Sequence, residues 1–200
     1  PHYSIAKLAG VAKSAGYRTK AYDLNVEAYH NWETNDEWGL EWQPWDGPRD
    51  WHWLGEQYWK DLHEFVKPVL DQAIDDICKF KPDFVGFSLY YCNKEPTDYM
   101  IKEIKKRRPD TQILIGGPQT HYSWFNPEPW YEIVVQREGE QSILNILNAQ
   151  EMKTGFTFSE QKDKSKIIRQ DESVRFSLEN LPFTDYSYCL LYTSPSPRDS

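Results

Sequence analysis

The first 25 residues carry two different hydrophobic patterns. Residues 5–15 place apolar side chains three or four positions apart, at Ile5, Leu8, Ala9 and Ala12. This spacing predicts an amphipathic helix, and Gly16 directly after it is a C-cap signal. Residues 17–25 then predict a short strand. That strand ends in polar residues, Asp23 and Asn25.

Three strand–helix units follow in the middle of the chain. The strands are apolar runs within residues 83–90, 111–119 and 130–140, as expected for strands of a parallel sheet that is buried on both faces. Helices are predicted at 96–110, with Thr97 as an N-cap, and at 141–150. This alternation predicts a Rossmann-like, doubly wound α/β fold with helices on both faces of the sheet.

Two regions interrupt the alternation. Residues 31–59 hold seven of the nine tryptophans, mixed with acids and prolines, and predict a long irregular insertion. A helix is expected from about Trp53 to Lys81, bent or divided at Pro68. The polar, lysine-rich stretch 151–180 contains three short segments that predict either edge strands or an ordered linker. These segments are 156–161, 165–170 and 173–178.

The tryptophan-rich insertion has three interpretations. Its rings can pack on one another and on the sheet edge as a small core. They can instead form a contact surface for a further domain or for a substrate, because aromatic patches mark interfaces. Stacking with single-stranded nucleic acid is disfavoured by the acidic residues nearby.

Composition narrows the class of protein. The 200 residues carry a formal net charge of −8, which argues against non-specific binding to nucleic acid or to an anionic membrane. No apolar run approaches the ~20 residues of a membrane span, and no signal peptide opens the chain. The cysteines, at 78, 92 and 189, are too far apart for a CxxC metal site. We therefore expect a cytoplasmic protein.

Polar residues and glycines follow each predicted strand. In open α/β sheets, ligands bind beyond the carboxyl ends of the strands, so these positions predict a ligand cleft. They are Asp23 and Asn25; Ser88, Tyr90 and Asn93; Gly116, Gly117, Pro118 and Gln119; and Glu138, Gly139 and Glu140. Each also has a structural explanation taken singly, such as a tight turn at the two adjacent glycines. Adjacent glycines also let a bulky group approach the backbone.

Common catalytic and nucleotide motifs do not occur in the sequence. It contains no GxGxxG or GxxxxGK[ST] segment for a dinucleotide or a nucleoside triphosphate. It also contains no HExxH segment and no nucleophile elbow of a hydrolase. A dinucleotide or a nucleoside triphosphate bound by a P-loop is therefore disfavoured as the ligand of the predicted cleft.

Five segments in order carry a resemblance to a known family. The chain resembles the N-terminal cobalamin-binding domain of cobalamin-dependent radical S-adenosylmethionine proteins, over roughly residues 1–150 and a bridge at 178–188. The segments are LAGVAKSAGY…DLN, PDFVGFSLY…N, ILIGGP, IVVQREGE and LENLPFTDYS. The resemblance implies a Rossmann-like sheet whose strand ends hold the corrin ring, with the nucleotide tail of cobalamin beside the sheet.

The resemblance assigns roles to several positions. Ser88 and Leu89 match the strand end that borders the nucleotide tail. Gly116 and Gly117 match the glycine pair that leaves room for this tail, and residues 138–140 match the loop after the last strand. Arg137 departs from the family pattern, where glycine is usual, and this leaves the conformation of that turn open.

The sequence offers one weak cobalt ligand. The methyltransferase and mutase relatives bind cobalt through the histidine of a DxHxxG loop, and nothing in this chain matches that loop. His121 is the histidine nearest to the predicted cleft, and imidazole is a suitable cobalt ligand. A surface or hydrogen-bonding histidine is the commoner case.

The resemblance also implies a division of the chain. Residues 1–150 would form the cobalamin-binding part, with the family's first strand expected before Pro1, and 151–188 would lead to a radical S-adenosylmethionine domain. That domain would supply the [4Fe–4S] cluster and S-adenosylmethionine, because the chain has no CxxxCxxC motif. Residues 189–200 break any regular element and resemble a translated sequencing adaptor rather than native protein; the alternative is a natural disordered tail.

Three functions are compatible with these features. The first is the cobalamin module of a radical enzyme that transfers a methyl group or catalyses a rearrangement or cyclisation. The second is a free-standing cobalamin-dependent regulator. The third is a doubly wound interaction domain without a cofactor, in which the two adjacent glycines only form a turn.

Overall fold

The computed structural model describes residues 3–34, 44–45, 50–122, 125–148, 156–160, 166–170 and 184. Most of the tryptophan-rich segment between 35 and 49 lies outside these residues, as do the third predicted edge segment at 173–178 and the tail 189–200. The bridge 178–188 is outside them too, apart from Thr184.

The described helices are α1 (Tyr3–Ser14), α2 (Leu24–Thr34), α3 (Gly55–Asp61), α4 (His63–Phe80), α5 (Lys94–Arg107) and α6 (Glu140–Leu147). The strands are β1 (Phe84–Ser88), β2 (Gln112–Gly116), β3 (Ile133–Gln136), β4 (Phe156–Glu160) and β5 (Lys166–Gln170). Short 3-10 helices lie at Asp50–Trp53, Tyr91–Asn93 and Pro118–His121. The predicted order of strands and helices is found from β1 to α6, as β1, α5, β2, β3 and α6, with only a 3-10 helix between β2 and β3.

The described strands form a single sheet in the order β1-β2-β3-β5-β4. Strands β1, β2, β3 and β5 run parallel, and β4 is antiparallel to β5. Ser88 at the end of β1 pairs with Gly116 at the end of β2, so the carboxyl ends of the strands meet at one edge. The predicted Rossmann-like α/β fold is confirmed, and two of the three edge segments are strands.

The core lies on both faces of the sheet. Ile113 and Ile115 of β2 face a buried cluster built with α4 and α5, and Leu114 between them is buried as well. Successive side chains of a strand point to opposite faces, so both faces of β2 are covered. Helix α1 packs against α6, and the buried residues of α1 lie outside the main cluster.

The strand predicted at residues 17–25 is wrong. The described chain has no regular structure from Tyr17 to Asp23, and α2 begins at Leu24. This segment instead binds the end of α4: the Arg18 guanidinium donates to the Phe80 carbonyl at 3.1 Å, and Lys20 lies 3.3 Å from Asp76. An extended segment becomes a strand only when a neighbouring strand pairs with its backbone groups, and none of the described strands pairs with this one.

Two predicted helix boundaries also need correction. Helix α5 begins at Lys94, so Thr97 is a buried residue within the first turn and not the N-cap. Pro68 does not divide the helix around it, because α4 is continuous through Pro68 and the break falls at Leu62. No described helix combines the length and the apolar character that crossing a membrane requires.

Candidate ligand site at the carboxyl edge of the sheet

The end of β1 is closed by hydrogen bonds to backbone groups. The Leu89 amide donates to the Gly116 carbonyl at 2.7 Å. The Tyr90 amide donates to Asn93 Oδ1 at 2.8 Å, and Asn93 Nδ2 donates to the Ser88 carbonyl at 2.9 Å. Asn93 therefore shapes the turn after β1. Its side chain acts on its own chain here, and Leu89 is completely buried.

The two adjacent glycines have different surroundings. Gly117 has a φ of +98°, and a Cβ added to it would lie 2.7 Å from both the nitrogen and the oxygen of Leu89. A Cβ on Gly116 would meet the Val135 carbonyl oxygen at 3.8 Å, which is an ordinary contact. The backbone of Leu89, directly after β1, thus fills the space beside Gly117. Of the two, Gly116 is the one beside which a further group has room.

The Pro118–His121 turn joins the ends of the strands. The Gln119 amide donates to the Leu89 carbonyl at 3.1 Å. The fully buried Thr120 hydroxyl lies 2.8 Å from the Gly117 carbonyl oxygen and 3.2 Å from that of Val135. Gln136 Nε2 donates to the Thr120 carbonyl at 2.6 Å. One turn therefore connects β1, β2 and β3 at their carboxyl ends.

The turn after β3 takes an unusual backbone conformation. Arg137 has a φ of +71°, in the left-handed region that favours glycine. Its amide donates to His121 Nε2 at 2.7 Å. The family that the chain resembles usually has glycine at this position. Arg137 takes the backbone conformation that glycine would favour there.

Residues Glu138, Gly139 and Glu140 connect the edge to α1. Glu140 is buried and lies 2.8 Å from Lys7 Nζ. A Cβ on Gly139 would lie 3.2 Å from Leu8 Cδ2, so α1 packs closely on this loop. Burial, and then the neighbouring Glu140 carboxylate, raises the pKa of Glu138. The hydrogen bond to Glu140 raises the pKa of Lys7. The loop therefore holds two carboxylates with one lysine beside them.

Asp23 and Asn25 lie at the start of α2 and not at a strand end. Asp23 Oδ1 accepts from the Val26 amide at 3.4 Å, and the Glu27 amide donates to the Asp23 carbonyl. Asn25 Oδ1 accepts from Trp45 Nε1 at 2.9 Å. These contacts support the helix start and hold the tryptophan-rich segment.

Three residues of the edge were not predicted from the sequence. Gln136 and Thr120 were detectable, because Gln136 is the last residue of β3 and Thr120 directly follows predicted residues. Lys7 gave no local signal, since only the packing of α1 on α6 brings it to Glu140. Polar positions at strand ends are therefore readable from sequence, whereas a partner from a distant helix is not.

Among the described residues, no three or more histidine, cysteine, aspartate or glutamate side chains lie together in a way that could hold a metal ion. The Nε2 atom of His121 already accepts a hydrogen bond from Arg137. The edge therefore consists of a polar strand end, turns joined by hydrogen bonds to backbone groups, a glycine at which a Cβ would make only an ordinary contact, and a loop with two carboxylates.

Comparison with known proteins gives one partial match. Over 84 residues the chain is 30% identical to the anaerobic magnesium-protoporphyrin IX monomethyl ester cyclase of Rubrivivax gelatinosus. The aligned part is 40% of this chain and 15% of the cyclase, so the chain spans a small fraction of that relative's length. No family model matches the chain, and no solved structure matches it.

Proposed function

We propose that this chain is the cobalamin-binding module of a radical S-adenosylmethionine enzyme. One observation carries the proposal. The three segments that the resemblance assigns to the cofactor are residues 88–89, 116–117 and 138–140, and they come together at the carboxyl edge of one parallel sheet. Parallel α/β sheets bind their ligands at this edge.

The similarity to the cyclase supports an enzyme as the parent protein. The name of that relative describes a ring-forming reaction on a magnesium porphyrin ester. Among the reactions that the resemblance allows, cyclisation is therefore the one we favour, ahead of methyl transfer and other rearrangements. The [4Fe–4S] cluster and S-adenosylmethionine belong, on this proposal, to a further domain of the parent reached through residues 151–188.

The edge residues fit the cofactor in part. Ser88 would border the nucleotide tail with the completely buried Leu89 behind it, Gly116 would leave space beside the tail, and residues 138–140 would line the far side. Gly117 cannot provide that space, because the Leu89 backbone fills it. Bound cobalamin would supply the methyl group or assist the radical chemistry of the parent. The residues of this chain would orient the cofactor and keep it at the sheet edge.

The net charge of the chain bears on its partners and on its place in the cell. The net charge of −8 fits a partner that is neither nucleic acid nor an anionic membrane. The partners are then cobalamin and the radical domain of the same protein, in the cytoplasm. Tyr90, Asn93, Pro118 and Gln119 would support the site by shaping the turns at the strand ends. Asp23 and Asn25, which were also predicted to bind the cofactor, contact the start of α2 and Trp45 instead.

A specific observation favours a second candidate. The φ of Gly117 and its contact with the Leu89 backbone explain this glycine without any ligand. A doubly wound interaction domain without a cofactor would need the same glycine for the same reason. The two candidates therefore differ at Gly116, where a Cβ meets no atom closer than 3.8 Å.

The deciding experiment uses the full-length parent protein and hydroxocobalamin. The protein is mixed with the corrin and desalted, and the corrin absorbance of the protein fraction is measured. We expect co-elution with the wild type and its loss in Gly116→Leu, which fills the open space. Gly86→Ala is the matched control, since this strand glycine is exposed and its Cβ would lie 4.0 Å from Leu114.

Each outcome of this experiment separates the candidates. Corrin in the fractions of the wild type and of Gly86→Ala, but not of Gly116→Leu, supports the cobalamin module. A folded wild type that elutes without corrin overturns it and favours the interaction domain. Equal binding by Gly116→Leu would place the cofactor away from this edge.

A further inference from the structure

The Arg137 turn is held by a residue from another loop. Arginine in the left-handed region is strained by contact between its Cβ and its own backbone, so the conformation with φ +71° needs support from outside. A hydrogen bond of 2.7 Å from the Arg137 amide to His121 Nε2 provides such support. The two residues are 16 positions apart in the sequence.

The His121 side chain is exposed, and the turn that carries it is held by its neighbour Thr120. His121 ends the turn that contains Thr120, whose hydroxyl is buried against the carbonyls of Gly117 and Val135. The side chain of Gln136, next to Arg137, donates to the Thr120 carbonyl at 2.6 Å. The loops after β2 and β3 are thus joined by two parallel links, and the His121 link acts directly on the residue before Glu138.

We propose that His121 is a positioning residue that holds the Arg137 turn and, through it, the loop of Glu138, Gly139 and Glu140 at the ligand edge. The proposal rests on the proposed function for the identity of the ligand. It gives His121 a role that is incompatible with cobalt ligation through the same atom. A neutral imidazole has one lone pair, and here the lone pair of Nε2 is used by the Arg137 amide.

The position of Glu138 and Glu140 depends on this turn. Arg137 directly precedes Glu138, and Gly139 lies close to the Leu8 side chain of α1, since a Cβ on Gly139 would be 3.2 Å from Leu8 Cδ2. If the Arg137 backbone relaxes to a negative φ, the loop must move away from α1 or strain that contact. Loss of His121 should therefore disturb the ligand edge although the side chain itself need not touch the ligand.

The test combines His121→Ala, Arg137→Gly and the double variant in the full-length parent protein. We expect His121→Ala to weaken hydroxocobalamin binding about fivefold, the usual worth of one hydrogen bond. The double variant should return to within about twofold of the wild type, because glycine adopts a positive φ without strain. His30→Ala on α2 is the matched control and should change nothing.

Recovery of binding in the double variant distinguishes a positioning role of His121 from cobalt ligation by His121. If His121 were a cobalt ligand, Arg137→Gly could not restore binding, and the visible spectrum of the bound corrin would change in His121→Ala. Failure of the rescue or such a spectral change overturns the proposal. An unchanged spectrum with rescue supports it.

A second measurement needs no cofactor. Amide hydrogen exchange at Arg137 should speed up severalfold in His121→Ala and remain unchanged in His30→Ala. Unchanged exchange at Arg137 in His121→Ala overturns the proposal whatever the protein binds. A wild type that elutes without corrin overturns the proposed function. Faster exchange at Arg137 in His121→Ala would still support the positioning role of His121.

Discussion

The carboxyl edge of the sheet and the aromatic cluster are stabilised in opposite ways. The edge is joined by hydrogen bonds to backbone atoms, and at Gly117 it has no space for one added carbon. The aromatic cluster, made of Tyr29, Trp32, Trp45, Trp53, Tyr58, Trp59, His63, Phe65 and Tyr99, is held by ring contacts. The edge should therefore be sensitive to added atoms and the cluster to deleted ones.

Tyr58 lies at the centre of the aromatic cluster. It is completely buried, and its ring centroid lies 6.3 Å from that of Trp53 and 5.3 Å from that of Trp59. Its hydroxyl lies 3.2 Å from His63 Nδ1. The described part of the tryptophan-rich insertion thus packs as a small core, while Trp51 and Trp59 stay 48% and 43% exposed.

The largest effect is expected from Tyr58→Ala. Removing a fully buried aromatic ring leaves a cavity and should lower the free energy of unfolding by about 4 kcal/mol. Urea denaturation followed by tryptophan fluorescence measures it. Trp51→Ala is the control, since this side chain is half exposed and should cost less than about 1 kcal/mol. Equal losses for both variants would contradict a core centred on Tyr58.

Gly117→Ala should have the next largest effect. The new Cβ would meet Leu89 backbone atoms at 2.7 Å, and alanine is strained at a φ of +98°. We expect a loss of about 3 kcal/mol in the free energy of unfolding. Gly116→Ala, with its nearest contact at 3.8 Å, should cost less than about 1 kcal/mol. If the two glycines respond alike, the backbone contact of Gly117 does not limit this edge.

The difference between the two regions also explains what could be predicted from the sequence. Apolar runs predicted β1, β2 and β3. The reason is clearest at β2, where Ile113, Leu114 and Ile115 are all buried, because a strand buried on both faces needs apolar residues at nearly every position. The strand predicted at 17–25 failed, since strand formation depends on a partner that a local pattern does not contain. The Gly116–Gly117 pair was visible as a motif, but the unequal surroundings of its members depend on Leu89 and Val135, which are distant in sequence.

Thr120→Val should give a smaller loss at the edge. Valine has the same shape but removes the hydroxyl that lies 2.8 Å from the Gly117 carbonyl oxygen and 3.2 Å from that of Val135. The Gly117 carbonyl keeps the Thr120 amide as a donor. We expect the free energy of unfolding to fall by about 1–2 kcal/mol. Thr120→Ser keeps the hydroxyl and should retain most of the stability. A Thr120→Ser variant as unstable as Thr120→Val would indicate that the methyl group, not the hydrogen bond, matters.

The smallest effect is a pH dependence that arises from His63 in the aromatic cluster. Burial lowers the pKa of His63 below its ordinary value of 6.5. The unfolded chain therefore binds this proton more readily than the folded one, and the free energy of unfolding should fall as the pH drops below about 6.5. In the protonated ring both nitrogens carry a hydrogen, so Nδ1, 3.2 Å from the Tyr58 hydroxyl oxygen, could then only donate.

His63→Phe should flatten this dependence between pH 7.5 and 5.5, because phenylalanine keeps a ring at the position and takes up no proton. Amide exchange can compare the two regions directly. Acidification in this range, corrected for the intrinsic pH dependence of exchange, should loosen amides in α4 near His63. It should leave the Leu89 amide, bonded to the Gly116 carbonyl, unchanged. Loosening of both regions to the same extent would mean that they unfold as one unit, and that their different construction does not give them separate stabilities.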